Sequence, residues 1–242
     1  MNNKFRLIFM FLIVTLFLVS CSKDYSDYNI KLEYSEIPFS NERLVEIEDK
    51  SDIIVLKEYS HNGFSQILYE KKVVEENTSN ALFSAIIIDG KTYDFGEVDY
   101  NLQQTSIDND RYKAYEVAIN ENMILYKIFV GYGAASFADR YFWIVDNRPY
   151  ILTEIYGSLD YDLDGDGQLE TVSQIGTLSA LSIYEWANDE LMCSYLPDLI
   201  DNYYGGHYNE TENEIRLVRL IDDKVSKEER YKYVDRTLHR VK

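Results

Sequence analysis

Apolar and polar residues change places along this chain in short runs, and few windows carry the i, i+3, i+4, i+7 spacing of an amphipathic helix. The runs predict strands over residues 52–57, 64–74, 82–88, 112–119, 123–130, 141–145, 150–156, 169–175, 180–186, 215–221 and 230–234. Residues 196–204 offer one or two turns of helix. Four polar turns join strand pairs: Asp89-Gly90-Lys91, Asp146-Asn147-Arg148, Asn188-Asp189-Glu190 and Asp222-Asp223-Lys224. Each predicts a hairpin. Their starts stand 57, 42 and 34 residues apart, close to the roughly 40 to 50 residues of a four-stranded propeller blade. The pattern predicts a mainly β, antiparallel fold of propeller-like blades, open or partial, with a β-sandwich as the alternative.

Composition agrees with this picture. Tyrosine is abundant, at 22 residues, while glycine and proline number only 11 and 3, a mix that favours strands. The N-terminus differs. Lys4 and Arg6 precede an apolar run of about thirteen residues from Leu7 to Val19. That is short for a membrane span and fits the core of a secretory signal. The run ends in Leu18-Val19-Ser20-Cys21, which resembles the lipobox of bacterial lipoproteins. The resemblance implies cleavage before Cys21, lipid on Cys21, and a folded part held outside the cytoplasmic membrane by acyl chains, each buried CH₂ contributing about 0.8 kcal/mol. Residues 1–20 then form the signal peptide, 21–40 the lipidated cysteine and a polar, tyrosine-rich tether, and 41–242 one mainly β domain.

The formal charge is -18. Loss of residues 1–20 removes two cations, Lys4 and Arg6, and no acids, which makes it -20. So acidic a surface argues against nucleic acid as a partner and against lying flat on anionic lipid. The two cysteines are Cys21 and Cys193. With Cys21 lipidated, Cys193 has no partner within the chain, and no disulfide framework is expected. Cys193 itself reads as a small buried hydrophobe.

One stretch asks for a counter-charge. Residues 160–170, DYDLDGDGQLE, hold four Asp and one Glu around Gly165 and Gly167. Carboxylates at alternate positions of a tight loop converge, and they repel unless a cation sits between them. The EF-hand frame fails from either start: Thr171 or Ser173 falls where the bidentate Glu is required. The flanks also read as strands. A shorter frame fits, with acids at positions 1, 3, 5 and 9 and glycine at 6. Counted from Asp162, the residues DLDGDGQLETV resemble the calcium loop of FG-GAP and VCBS-type repeats, as in integrin α-subunit propellers and bacterial surface proteins. The resemblance covers about 25 residues and supplies a single loop, with Glu170 where the family more often has Asp. It implies Ca²⁺ held by the side chains of Asp162, Asp164, Asp166 and Glu170 and by the backbone carbonyl of Gln168, with Asp160 outside the set. Magnesium prefers strict octahedral geometry and its own waters, and zinc finds no His or Cys nearby. The ion's expected role is to stabilise the fold.

No catalytic constellation emerges. His61, His207 and His239 form no two-histidine motif, and His207, after Gly205-Gly206, reads as part of an exposed loop. Ser136, in GYGAASFAD, lacks the G-x-S-x-G frame, and Gly131 and Gly133 read as a bend or bulge. Neither a phosphate loop nor a dinucleotide fingerprint is present. Tyr203, Tyr204 and Tyr208 form a candidate stacking strip. The sequence therefore points to a surface-anchored, calcium-stabilised β module with a binding or adhesion-type role, taking a protein or glycan ligand, and not to an enzyme. An extracytoplasmic hydrolase and a carbohydrate-binding module are the alternatives.

Overall fold

The N-terminal segment expected to be a free tether is woven into the fold from residue 30 onward. It forms four very short strands, β1 (Ile30–Lys31), β2 (Ser35–Ile37), β3 (Glu42–Arg43) and β4 (Val45–Glu46). They appear in a computed structural model that describes residues 29–40, 42–72, 81–100, 110–133, 136–176, 179–187, 190–222 and 224–241. Cys21, the signal segment and the first part of the tether lie outside the described residues.

The remaining strands form four successive meanders. The first is β5 (Ile53–Ser60), β6 (Ser65–Lys71), β7 (Leu82–Ile88) and β8 (Lys91–Asp99). The second is β9 (Tyr115–Asn120), β10 (Met123–Gly131), β11 (Phe137–Val145) and β12 (Arg148–Tyr156). The third is β13 (Ser158–Tyr161), β14 (Glu170–Ile175), β15 (Ala180–Ala187) and β16 (Glu190–Tyr195). A single helical turn, Leu196–Leu199, leads to the fourth. That comprises β17 (Tyr203–Asn209), β18 (Glu214–Ile221), β20 (Glu229–Val234) and β21 (Thr237–Arg240), with the short β19 (Lys224–Val225) folded back on β18.

All pairing within the meanders is antiparallel. One parallel contact, Gly131 with Asp99, joins the first two meanders into a ten-stranded sheet that curls into a half-barrel. Each meander also gains a strand along the free edge of its last member. β4 pairs with β8, β3 with β12, β2 with β16 and β1 with β21. The N-terminal segment is thus a strap that visits the four meanders in reverse order.

Three apolar layers hold the row together. Leu68, Ile86 and Phe95 of the first meander meet Ile128 and Phe142 of the second. Leu125 and Leu152 of the second meet Trp186 and Leu191 of the third. Val172 and Ile183 of the third meet Leu217 and Tyr231 of the fourth, and Ile30 and Leu32 of the strap join that layer. Among the described residues no cluster unites the first meander with the fourth. Within the described residues each meander packs on the next, and the chain is mainly β and antiparallel as its pattern predicts.

All four expected hairpins are present. Asp89-Gly90 and Asp146-Asn147 take the left-handed φ values, +50° and +78°, then +50° and +58°, that two-residue turns of this hand need. Three of them join the last two strands of a meander. The fourth, at Asp222, joins β18 only to the side strand β19. Its counterpart in the fourth meander is Asp235-Arg236, between Val234 and Thr237. The blade rhythm is present, but its last beat falls later in the chain than its turn residues suggest.

Candidate metal centre

The acidic stretch forms the connection between β13 and β14. Its two ends are fixed differently. At the start, Asp160 on β13 is turned out of the loop. It accepts hydrogen bonds from Tyr141 Oη (2.8 Å) and Thr171 Oγ1 (2.6 Å) and pairs with Lys127 Nζ at 2.6 Å. Lys127 also reaches Asp139 at 3.1 Å. Burial pushes the Lys127 ammonium down, but Asp160 and Asp139 outweigh it and hold its pKa above the ordinary value. This polar knot lies where the second meander meets the third. At the far end, the Leu169 N–H donates to Ile119 O on β9 at 3.1 Å. Between them the buried Leu163 anchors the loop in the layer shared with the fourth meander.

So pinned, the loop turns its acids together. One carboxylate oxygen each from Asp162, Asp164 and Asp166 lie within 4.8 Å of one another. Backbone amides orient them. Asp162 accepts from Gly165 N (2.7 Å) and Gly167 N (3.1 Å), Asp164 from Asp166 N (3.2 Å), and Asp166 from Gln168 N (2.7 Å). Gly165 and Gly167 have φ of +82° and +88°, conformations that favour glycine. Three clustered carboxylates are a hard-oxygen donor set that could hold a metal ion.

Of the other two residues expected to supply ligands, Glu170 is not part of this cluster. Gln168 is exposed, and its side-chain amide donates to Asp166 Oδ2 at 3.1 Å. Glu170 is buried at 6% exposure, and its Oε2 accepts the Leu163 N–H at 2.8 Å. Burial pushes the Glu170 carboxyl up to about 8; the Leu163 amide draws it down, while Asp164, Asp166 and Glu185 add to the rise. Beside the loop lies a cavity of about 200 Å³ lined by Asp164, Asp166, Glu170, Glu185, Tyr233 and Arg236, among others.

Two partners come from the fourth meander. Asn213 Nδ2 donates to the carbonyls of Asp162 (3.4 Å) and Leu163 (3.3 Å), and the Asp235 N–H donates to Asp164 Oδ2 (3.4 Å). Arg236 pairs with Glu185, which also accepts from Tyr233 Oη. The acidic loop is therefore a junction between the third and fourth meanders. In the sequence these partners sit in ordinary turns, and no local signal ties them to a loop some fifty to seventy residues away.

The remaining candidates take structural places. His207 lies on strand β17, not in a loop, 3.8 Å from Glu228. The glycine before it is a packing device: a Cβ on Gly206 would come within 2.8 Å of both Leu181 and Leu217. Tyr203 Oη donates to Ser179 O at 2.6 Å and Tyr208 is buried, which leaves no flat stacking strip there. Ser136 closes the β10–β11 turn with its N–H on Gly133 O. Cys193 is half-buried on β16, and burial pushes its thiol up, away from nucleophilic character. Among the described residues no helix is long and apolar enough to cross a membrane. Compared with known proteins, the chain matches no family model, no curated protein and no solved structure.

Proposed function

We propose that the chain is a bacterial lipoprotein whose β domain is stabilised by one calcium ion and serves as a binding or adhesion-type module, not as an enzyme. On this reading Cys21 carries the lipid and the domain stands outside the cytoplasmic membrane. One observation carries the metal part: Asp162, Asp164 and Asp166 converge within 4.8 Å in a loop whose sequence resembles FG-GAP and VCBS-type calcium loops. The three carboxylates would hold the ion, and the ion would supply the positive charge that relieves their repulsion. Glu170, with one oxygen on Leu163 N–H, would have to turn to join them. Because Asn213 and Asp235 grip the same loop, order in the loop is order in the contact between the third and fourth meanders.

The test is a thermal melt of residues 22–242 in excess calcium and in chelator, beside Asp164→Ala. Calcium at about one hundred times its Kd should stabilise the wild type by about 2.7 kcal/mol and leave the variant unmoved. A wild-type midpoint that ignores calcium removes the metal from the reading.

A further inference from the structure

A crevice remote from the acidic loop lies between the first two meanders, where the strap crosses from β12 to β8. It has a volume of about 320 Å³, and its lining includes Glu42, Arg43, Asp94, Gly96, Arg140 and Glu154. Both walls are bulged at this point. On β8, Ser84 faces Gly96 and Ala85 faces Asp94, so Phe95 is the extra residue. On β12, Tyr141 faces Thr153 and Phe142 faces Ile151, so Leu152 is extra. Bulges bend a strand and re-aim its side chains, and they recur beside binding sites. Both are held in place. Asp94 Oδ1 accepts from Gly96 N and from Tyr69 Oη, each at 2.8 Å. The strap's Ser40 takes the spare Leu152 carbonyl with its N–H at 2.9 Å and gives its hydroxyl to Ile151 O at 2.8 Å.

The polar groups of the crevice are of mixed sign. Arg140 pairs with Glu154 and donates through Nη1 to Phe95 O at 2.8 Å. Their side chains are only 15% and 25% exposed. With Arg43 beside Glu42 and Asp94, cations and anions nearly balance, and the crevice presents no single-sign field for a phosphate or a polycation. Donors and acceptors stand side by side, the arrangement that suits hydroxyl groups, each of which both donates and accepts. Beyond Glu154 the surface turns aromatic. Tyr132 Oη donates to Glu154, and its ring stacks on Tyr156 with centroids 5.7 Å apart. The two tyrosines are 41% and 40% exposed. Rigid rings with a polar tip give contact area at small entropic cost. The volume lies at the low end for small-molecule sites.

We propose that this crevice binds carbohydrate, taking one pyranose ring against Asp94, Arg140 and Glu154, with the Tyr132–Tyr156 pair as the platform for an adjoining ring. The site gives the binding-module reading its ligand class and rests on that reading, but it does not involve the acidic loop. The experiment is calorimetric titration of the full chain, in excess calcium, with glucose, galactose, mannose and N-acetylglucosamine and with cellobiose, lactose and chitobiose. Tyr156→Ala, Glu154→Gln and Asp164→Ala are titrated alongside, with melting midpoints recorded for each. At least one sugar should bind the wild type. Tyr156→Ala, at an exposed position, should weaken it about tenfold with an unchanged midpoint, Glu154→Gln should weaken it too, and Asp164→Ala should leave it intact. Absence of binding to every sugar overturns the proposal, as does wild-type affinity in both Tyr156→Ala and Glu154→Gln. Either result, beside a melt that still responds to calcium, removes the crevice alone. Sugar binding beside a calcium-insensitive melt removes the metal alone.

Discussion

Gly157 is the only residue between β12 and β13, and it shows how much one backbone atom can decide. Its φ is +56°, and a Cβ there would stand 2.3 Å from the Gln174 carbonyl oxygen. That oxygen belongs to backbone and cannot swing aside. Gly157→Ala should therefore cost about 3 kcal/mol, overpacking and left-handed strain together. Gly176 has a similar φ of +85° but open space around it, so Gly176→Ala should cost only about 1 kcal/mol. Urea denaturation of the pair measures the difference, and equal losses would mean that the close approach is unimportant. The sequence makes such residues only partly legible. The spacing of Asp162, Asp164 and Asp166 reveals their convergence, because alternate positions in a tight turn point one way. The turning of Glu170 toward Leu163, and the grip of Asn213 and Asp235, depend on a neighbouring meander and leave no local trace.

At the scale of elements, strands with clean alternation or continuous apolar runs were readable, such as β7, buried at five of its seven positions. Several others carry no such signal. The two adjacent glycines of β17 read as a loop, β21 has four residues, and the strap strands have two or three. Their pairing comes from neighbours supplied by the tertiary fold. The fourth meander adds an electrostatic tie. Glu229 on β20 meets Arg219 on β18 at 2.7 Å and Arg240 on β21 at 3.2 Å, and accepts from Tyr231 Oη at 2.8 Å. Burial pushes the Glu229 carboxyl up, but Arg219, Tyr231 and Arg240 outweigh it and hold it below the usual carboxylate range. A depressed carboxyl adds stability above its unfolded pKa, and that stability is lost as pH falls through the folded pKa. Glu229→Gln should lower the unfolding free energy at neutral pH by about 2 kcal/mol and flatten the loss between about pH 5 and pH 3. An acid slope as steep in the variant as in the wild type would place the titration elsewhere.

At the scale of the whole molecule, repetition was legible and closure was not. Turn residues recurring every few dozen positions suggested blades, while nothing in a linear pattern says whether the first blade meets the last. The strap was hidden for a related reason: its strands are too short for a period, and half of it lies in a stretch with the composition of a tether. Yet Ile30 and Leu32 are 6% and 3% exposed, and β1 covers the edge of β21. Removal of residues 22–33 should uncover that edge. Hydrogen exchange at 237–240 should then quicken well before exchange at β6 and β7, which lie in the first meander. A uniform rise in exchange would show that the strap holds the entire row and not each meander in turn.

The strap also sets an order of events in time. Ile30 pairs with Leu238, so one of the first described residues to be synthesised waits for one of the last. Its neighbours find their partners at the ends of the third, second and first meanders. The strap's first strand can lock only once β21 has been made, which makes its sealing a late, long-range step. Loop closure over such a separation slows folding, and until it happens the last edge of the fourth meander is open to pairing with another copy. The leading segment therefore stays unpaired at β1 until the fourth meander behind it has formed.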